Sequence, residues 1–142
     1  RETERLEMTL RTMSKASQKL MAGYQLALQK EYDKAISLYH QAIEIYPRLY
    51  NAYNALGWAY LEKGQIDAAI EAFRSAQRIR PEDIESYSDL AYAYLKKGDE
   101  EAAIRAVEET IRKDPAQAEY FRTEIYKPLW QNPRFKEIVK LN

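Results

Sequence analysis

Three ring-bearing residues, Tyr24, Trp58 and Tyr92, stand 34 residues apart, and the chemistry open to them is burial of another molecule's apolar surface. Leu20, Asn54 and Ser88 lie in register four positions before them, and Ala27, Leu61 and Leu95 three positions after. Together they make an apolar, aromatic strip with amide and hydroxyl groups able to orient a backbone, which is what a small binding site requires. Catalysis needs a base, nucleophile or metal in a closed pocket, and that inventory is thin. His40 is the single histidine and adjoins Tyr39, which the helical pattern turns inward, so His40 is expected on the outer surface. With no cysteine and no histidine cluster there is no metal-ligand set, and four scattered glycines make no phosphate-cradling loop. Glu100, Glu101, Glu108 and Glu109 read as a solvated helix face. The residues therefore predict no catalytic site, no metal, no cofactor and no enzyme.

The elements that must position the strip follow from its period. From Tyr50 to Pro81 the chain holds two apolar stripes of helical spacing, interrupted at Gly64 and ended by the proline. The unit recurs: Pro47, Pro81 and Pro115 are 34 residues apart, as are Ala35, Ala69 and Ala103. A fixed period of this size predicts a solenoid instead of one wrapped core. Tyr53, Leu56, Gly57, Tyr60, Ala69, Phe73, Ala76 and Pro81 fill nearly every signature column of the tetratricopeptide repeat, which the sequence resembles. The resemblance implies an all-α fold, a right-handed α-α superhelix of antiparallel helix pairs, whose first helices line a concave peptide-binding groove. It places Leu20, Tyr24, Asn51, Asn54, Trp58, Leu61, Ser88, Tyr92 and Leu95 in that groove. The expected organisation is an extension at 1–15, repeats at 16–49, 50–83 and 84–117, and capping helices at 118–142. A plainer use for the three rings is packing between adjacent first helices, but three in register exceed what such packing needs.

Within the second repeat, Gly57 and Ala69 should mark the closest helix approach, with Tyr53, Leu56, Tyr60, Ile70 and Phe73 filling the remaining volume. Gly64 can take the left-handed conformation that ends a first helix, and Asp67 puts negative charge in the next first turn. The third repeat copies this with Asp99 as a cap, but has Val107 where Phe73 stood and Thr110 where Ala76 stood. After it, a helix is expected from Ala116 to Tyr126, ended by Pro128, and a short one after Pro133. Trp130, Phe135, Ile138 and Val139 should cover the open end of the stack.

Residues 2–30 contain no proline and predict one long first helix, the alternative being a break at Ser14 or Ser17, either of which could cap a new helix. On a helix of about 100° per residue, Leu6, Leu10, Met13, Ser17, Leu20, Tyr24 and Leu28 form one narrow arc. Ala22 and Leu26, with Gly23 at their edge, are expected to begin the repeat's own packing face. The arc before Ser14 thus points away from the hairpin core, and Leu6, Leu10 and Met13 become candidates for self-association.

Lys and Arg number 22 and so do Asp and Glu, which offers no general attraction for nucleic acid or an anionic membrane. An RNA-binding repeat would want a basic inner face, whereas Asn51, Glu62 and Glu85 occur there. No apolar run reaches membrane-spanning length. The cysteine-free chain fits a reducing, cytoplasmic setting, and because it begins at Arg1 it reads as a piece of a longer protein whose remainder could carry an anchor. Chaperone-tail-binding members of the family hold a terminal carboxylate with Lys, Arg and Asn; Leu20, Tyr24 and Asp89 stand at or near those places here. The expected partner is therefore a neutral or apolar peptide or helix, with assembly of copies through the first helix and groove as the alternative.

Overall fold

The computed structural model describes residues 1–141, so Asn142, the last residue of the expected cap, lies outside the described residues. The described chain is helical, without strands, and divides into two compact units, Arg1–Arg80 and Pro81–Asn142.

In the first unit, α1 (Glu2–Leu28), α2 (Tyr32–Ile45), α3 (Tyr50–Glu62) and α4 (Ile66–Ile79) follow one another through short turns. Helix α1 packs on α2, α2 on α3 and α3 on α4. Helix α1 runs through Ser14 and Ser17 without a break, about 40 Å at roughly 1.5 Å per residue. Its inward line is Ala16, Leu20 and Gly23, spaced four and three apart as one helix face requires. This corrects two expectations. Leu20 leaves the outward arc and is 5 % exposed in the core, while Ala22 is exposed and Gly23 does the packing. Ala22 shares its column with Leu56, which belongs to the core built from α1, α2, α3 and α4; among the described residues of this unit no helix flanks α1 on the corresponding side.

The two interior glycines are notches for rings. A β-carbon on Gly23 would stand 2.7 Å from Tyr39 Cδ1, and one on Gly57 would stand 2.6 Å from Phe73 Cζ, both far inside van der Waals contact. The close approach at Gly57 is thus to the Phe73 ring. In the second unit, where α5 (Ile84–Lys97) packs on α6 (Glu100–Lys113), the same two columns hold Ala91 and Val107, both fully buried. A larger residue on one helix is matched by a smaller one on the other, conserving the volume of the crossing.

Each first helix ends alike. Backbone N–H groups of Glu31, Gln65 and Asp99 donate to the carbonyls of Leu26, Tyr60 and Tyr94 at 2.9, 2.9 and 3.1 Å, closing the six-residue loop of a Schellman ending. The geometry requires a left-handed residue within the loop, supplied by Gly64 at φ 77° and Gly98 at φ 85°, but by Lys30 at φ 63° in the first pair. A lysine there costs about 1 kcal/mol that glycine would avoid. Asp99 caps α6 as expected, its Oδ1 accepting from the Ala102 N–H at 3.1 Å, and Asp67 lies in the first turn of α4.

Beyond α6 the expected helix from Ala116 to Tyr126 is not formed. The chain makes a 3₁₀ turn at Pro115–Gln117, a one-turn helix α7 (Ala118–Phe121), a second 3₁₀ turn at Glu124–Leu129 with Pro128 inside it, and then α8 (Pro133–Val139). The break at Thr123, which is extended, has a packing reason. Five residues of α-helix would turn Tyr126 about 140° away from Phe121, yet both are fully buried in one core with Leu129, Phe135 and Val139. Trp130 and Ile138 pack against that core half-buried. Helix α8 is capped at its start by Asn132 Oδ1, which accepts from Arg134 and Phe135 N–H at 2.9 and 3.1 Å. At its end Arg122 Nε donates to the Val139 carbonyl at 2.6 Å.

Candidate functional site

In the first unit the outward rings stand on the inward ones. Tyr24 meets Tyr39 edge-on, with centroids 5.9 Å apart, and Trp58 meets Phe73 edge-on at 5.7 Å. Glycine therefore admits a buried ring, and the buried ring supports an outer one. Such edge-to-face pairs contribute about 0.5–1.5 kcal/mol beyond area burial. Trp58 remains 38 % exposed. Asn54 and Leu61 are half-buried and Asn51 exposed. Leu20, which sequence reasoning put in the groove, offers a partner no surface, because its helix face is the one that closes on α2. Burial, with Tyr24 nearby, pushes the Tyr39 hydroxyl up to about 12, so this support is neutral at physiological pH. His40 is exposed as expected, its Nε2 lying 3.2 Å from the Tyr60 hydroxyl.

In the second unit Ser88, Tyr92 and Leu95 are half-buried. The column that holds Phe73 in the first unit holds Val107 here, and Lys96 Nζ sits 5.4 Å from the Tyr92 ring centroid. Tyr92, Leu95 and Lys96 line a cavity of about 310 Å³ together with Ile125 and Pro128. Nearby, Tyr120, Phe121 and Tyr126 form a three-ring cluster of edge-on pairs with centroids 4.9–5.7 Å apart. Tyr126 is fully buried, and burial drives its hydroxyl far above the ordinary tyrosine range, with Tyr120 and the Asp89 carboxylate adding to the shift. Asp89 itself is buried.

Sequence reasoning missed Tyr120, Ile125 and Pro128. The signal was present in the apolar spacing Phe121, Tyr126, Leu129 and Trp130, which no single helix face accommodates and which therefore announces a folded-back segment. Leu6 and Leu10 of α1 are 56 % and 64 % exposed, with Met13 beside them less so. No described helix is long and apolar enough to cross a membrane.

Models described as tetratricopeptide repeat match residues 19–48, 38–71 and 84–117, and one described as TPR repeat matches 57–98. They run without a gap from 19 to 117, and the chain belongs to the tetratricopeptide repeat family, whose members are non-catalytic protein-interaction scaffolds. Among solved structures it is similar to the first TPR of Spaghetti (RPAP3) bound to HSP90 peptide SRMEEVD, at 17 % identity and TM-score 0.70, over 89 % of this chain and 92 % of that one. The Sgt2 TPR domain from Aspergillus fumigatus matches at 24 % identity and TM-score 0.69, over 89 % and 78 %. MamA matches at 28 % identity and TM-score 0.68 over 74 % of this chain, which spans 61 % of the MamA chain. No curated protein matches the chain significantly.

Proposed function

We propose that this scaffold holds a peptide or helix of a partner protein on the inner surface of its first helices, with Trp58 as the anchor. The observation that carries the reading is a tryptophan 38 % exposed yet braced edge-on by the buried Phe73, since a rigid, partly exposed indole is the kind of residue that dominates binding energy. Tyr24, Asn51, Asn54 and Leu61 would flank it, and in the second unit Ser88, Tyr92 and Leu95 would offer a partner a strip of their own. The preferred segment is apolar instead of a tail of clustered carboxylates, because Asp89 and Glu85 stand on the third first-helix and Tyr24 on the first. The relative that binds SRMEEVD shares the fold without supplying that preference. The cysteine-free sequence accords with a cytoplasmic setting.

The test is selection of peptides from a random phage-displayed library on the wild-type chain, followed by affinity measurement. Selected peptides should be apolar and lose about 2 kcal/mol, roughly 30-fold, on Trp58→Ala. In a Trp130→Phe background they should also shift the remaining Trp58 fluorescence. Unchanged affinity in Trp58→Ala ends the groove reading.

A second reading, assembly of copies, draws on Leu6 and Leu10, whose exposure leaves on the order of 1.5–3 kcal/mol of burial unused at each. Sedimentation of the chain beside a version beginning at Lys15 separates the two. Concentration-dependent association lost with residues 1–14 supports assembly; two monomers at high micromolar concentration dismiss it.

A further inference from the structure

We propose that the cavity between α5 and the Glu124–Leu129 turn is a specificity pocket for one apolar side chain followed by a single side-chain carboxylate, in an internal segment of a partner protein. This rests on the reading of the chain as a peptide-binding scaffold and deepens it by naming what a bound segment carries where it meets the second unit. Three features of the second unit carry it. The walls are apolar: Tyr92 and Leu95 from α5, Ile125 and Pro128 from the turn. At about 310 Å³ the space lies at the small end of ligand sites, about 300–1,000 Å³, a size for one large side chain. Secondly, the large apolar side chains exposed in this unit are Tyr120 and Ile125, at 40 % and 47 %. Both come from the segment whose break at Thr123 buries Phe121 and Tyr126, so the fold that completes the core also turns Ile125 outward onto the cavity. Ile125 and Pro128 lie beyond residue 117, where the repeat matches end, which makes the pocket a property of this chain's C-terminal segment.

The third feature is charge. Lys96 is the cation on the cavity wall and is exposed; its contact is the face of the Tyr92 ring at 5.4 Å, and no carboxylate pairs with it among the described residues. The neighbouring Lys127 is already engaged by Glu124 at 3.8 Å. An incoming carboxylate can therefore take Lys96 while its neighbouring side chain fills the apolar space, and the ammonium is held near the spot by the ring beneath it. A run of carboxylates gains nothing further, since Asp89 lies on the same helix one turn before Tyr92.

The probes are two blocked peptides, acetyl-Gly-Leu-Glu-Gly-amide and its Gln isostere, titrated at millimolar concentration against the isotopically labelled chain. The Glu peptide should shift the amides of Leu95, Lys96 and Ile125 and bind at least three-fold more tightly than the Gln peptide. Lys96→Gln should make the two equal, and Ile125→Asn, a change at an exposed position, should weaken both. The Glu preference should shrink in 0.5 M salt, where the Debye length falls to about 4 Å. Equal affinities for the two peptides in the wild type, or shifts elsewhere than at these residues, overturn the pocket. Trp58→Ala separates this outcome from the fate of the groove. Should library-selected peptides lose affinity with Trp58→Ala but not with Ile125→Asn, the groove stands and the pocket falls; the opposite pattern retains the pocket and removes Trp58 as anchor.

Discussion

Gly57→Leu is expected to lower the melting temperature sharply and raise the urea sensitivity of the chain, by roughly 1–3 kcal/mol or more. A β-carbon at this position already stands 2.6 Å from Phe73 Cζ, and three further carbons have nowhere to go. Phe73 cannot swing aside cheaply, because it is fully buried and carries Trp58 on its edge. Even Gly57→Ala should destabilise, although alanine in a helix interior is intrinsically better than glycine by about 1 kcal/mol. The third helix pair indicates the remedy. Combining Gly57→Ala with Phe73→Val recreates the Ala91 and Val107 arrangement, and the double variant should recover part of the loss, giving a favourable coupling in a double-mutant cycle. A wild-type melting curve for Gly57→Leu would place Gly57 away from the crossing and discard this account of the notch.

Tyr126→Ala is expected to cost about 3–5 kcal/mol in urea unfolding, the usual range for removing a large ring from a core. The ring is fully buried and edge-on to both Phe121 and Tyr120, so its loss opens a cavity that the short turns around it are poorly placed to collapse. The hydroxyl adds a pH signature. Burial raises Tyr126, and raises Tyr39 to about 12, whereas an unfolded tyrosine titrates near about 10. Above that value the unfolded chain gives up protons that the folded chain still holds, so stability is complete below pH 10 and falls as pH rises through 12. Tyr126→Phe should keep most of the neutral-pH stability and flatten this alkaline fall. An alkaline limb identical to wild type would show that Tyr126 ionises without leaving the core.

The alkaline and notch experiments bear on residues that were unequally visible beforehand. The 34-residue columns of proline, alanine and glycine are local punctuation: each acts on its own helix end or crossing, so the helix pairs, the left-handed Gly64 and the Asp99 cap could be read directly from residue order. The 34-residue register of Tyr24, Trp58 and Tyr92 is part of the same periodicity. Two matters belonged to tertiary structure alone, and a third was signalled only by apolar spacing. Leu20 could not be assigned from its arc, because a helical wheel ranks faces without saying which one the neighbouring helix will cover, and α2 took the face of Ala16, Leu20 and Gly23. Phe73 as occupant of the Gly57 notch, and Val107 as its reduced counterpart opposite Ala91, depended on volume matching between helices that no single stripe records. The segment after Pro115 was misread as a helix because its propensities are helical residue by residue, whereas the core needed Phe121, Tyr126 and Leu129 together. Burying three large side chains outweighs the few backbone hydrogen bonds lost at Thr123, and that balance, set by the surface they meet, turned Ile125 onto the cavity beside Tyr92.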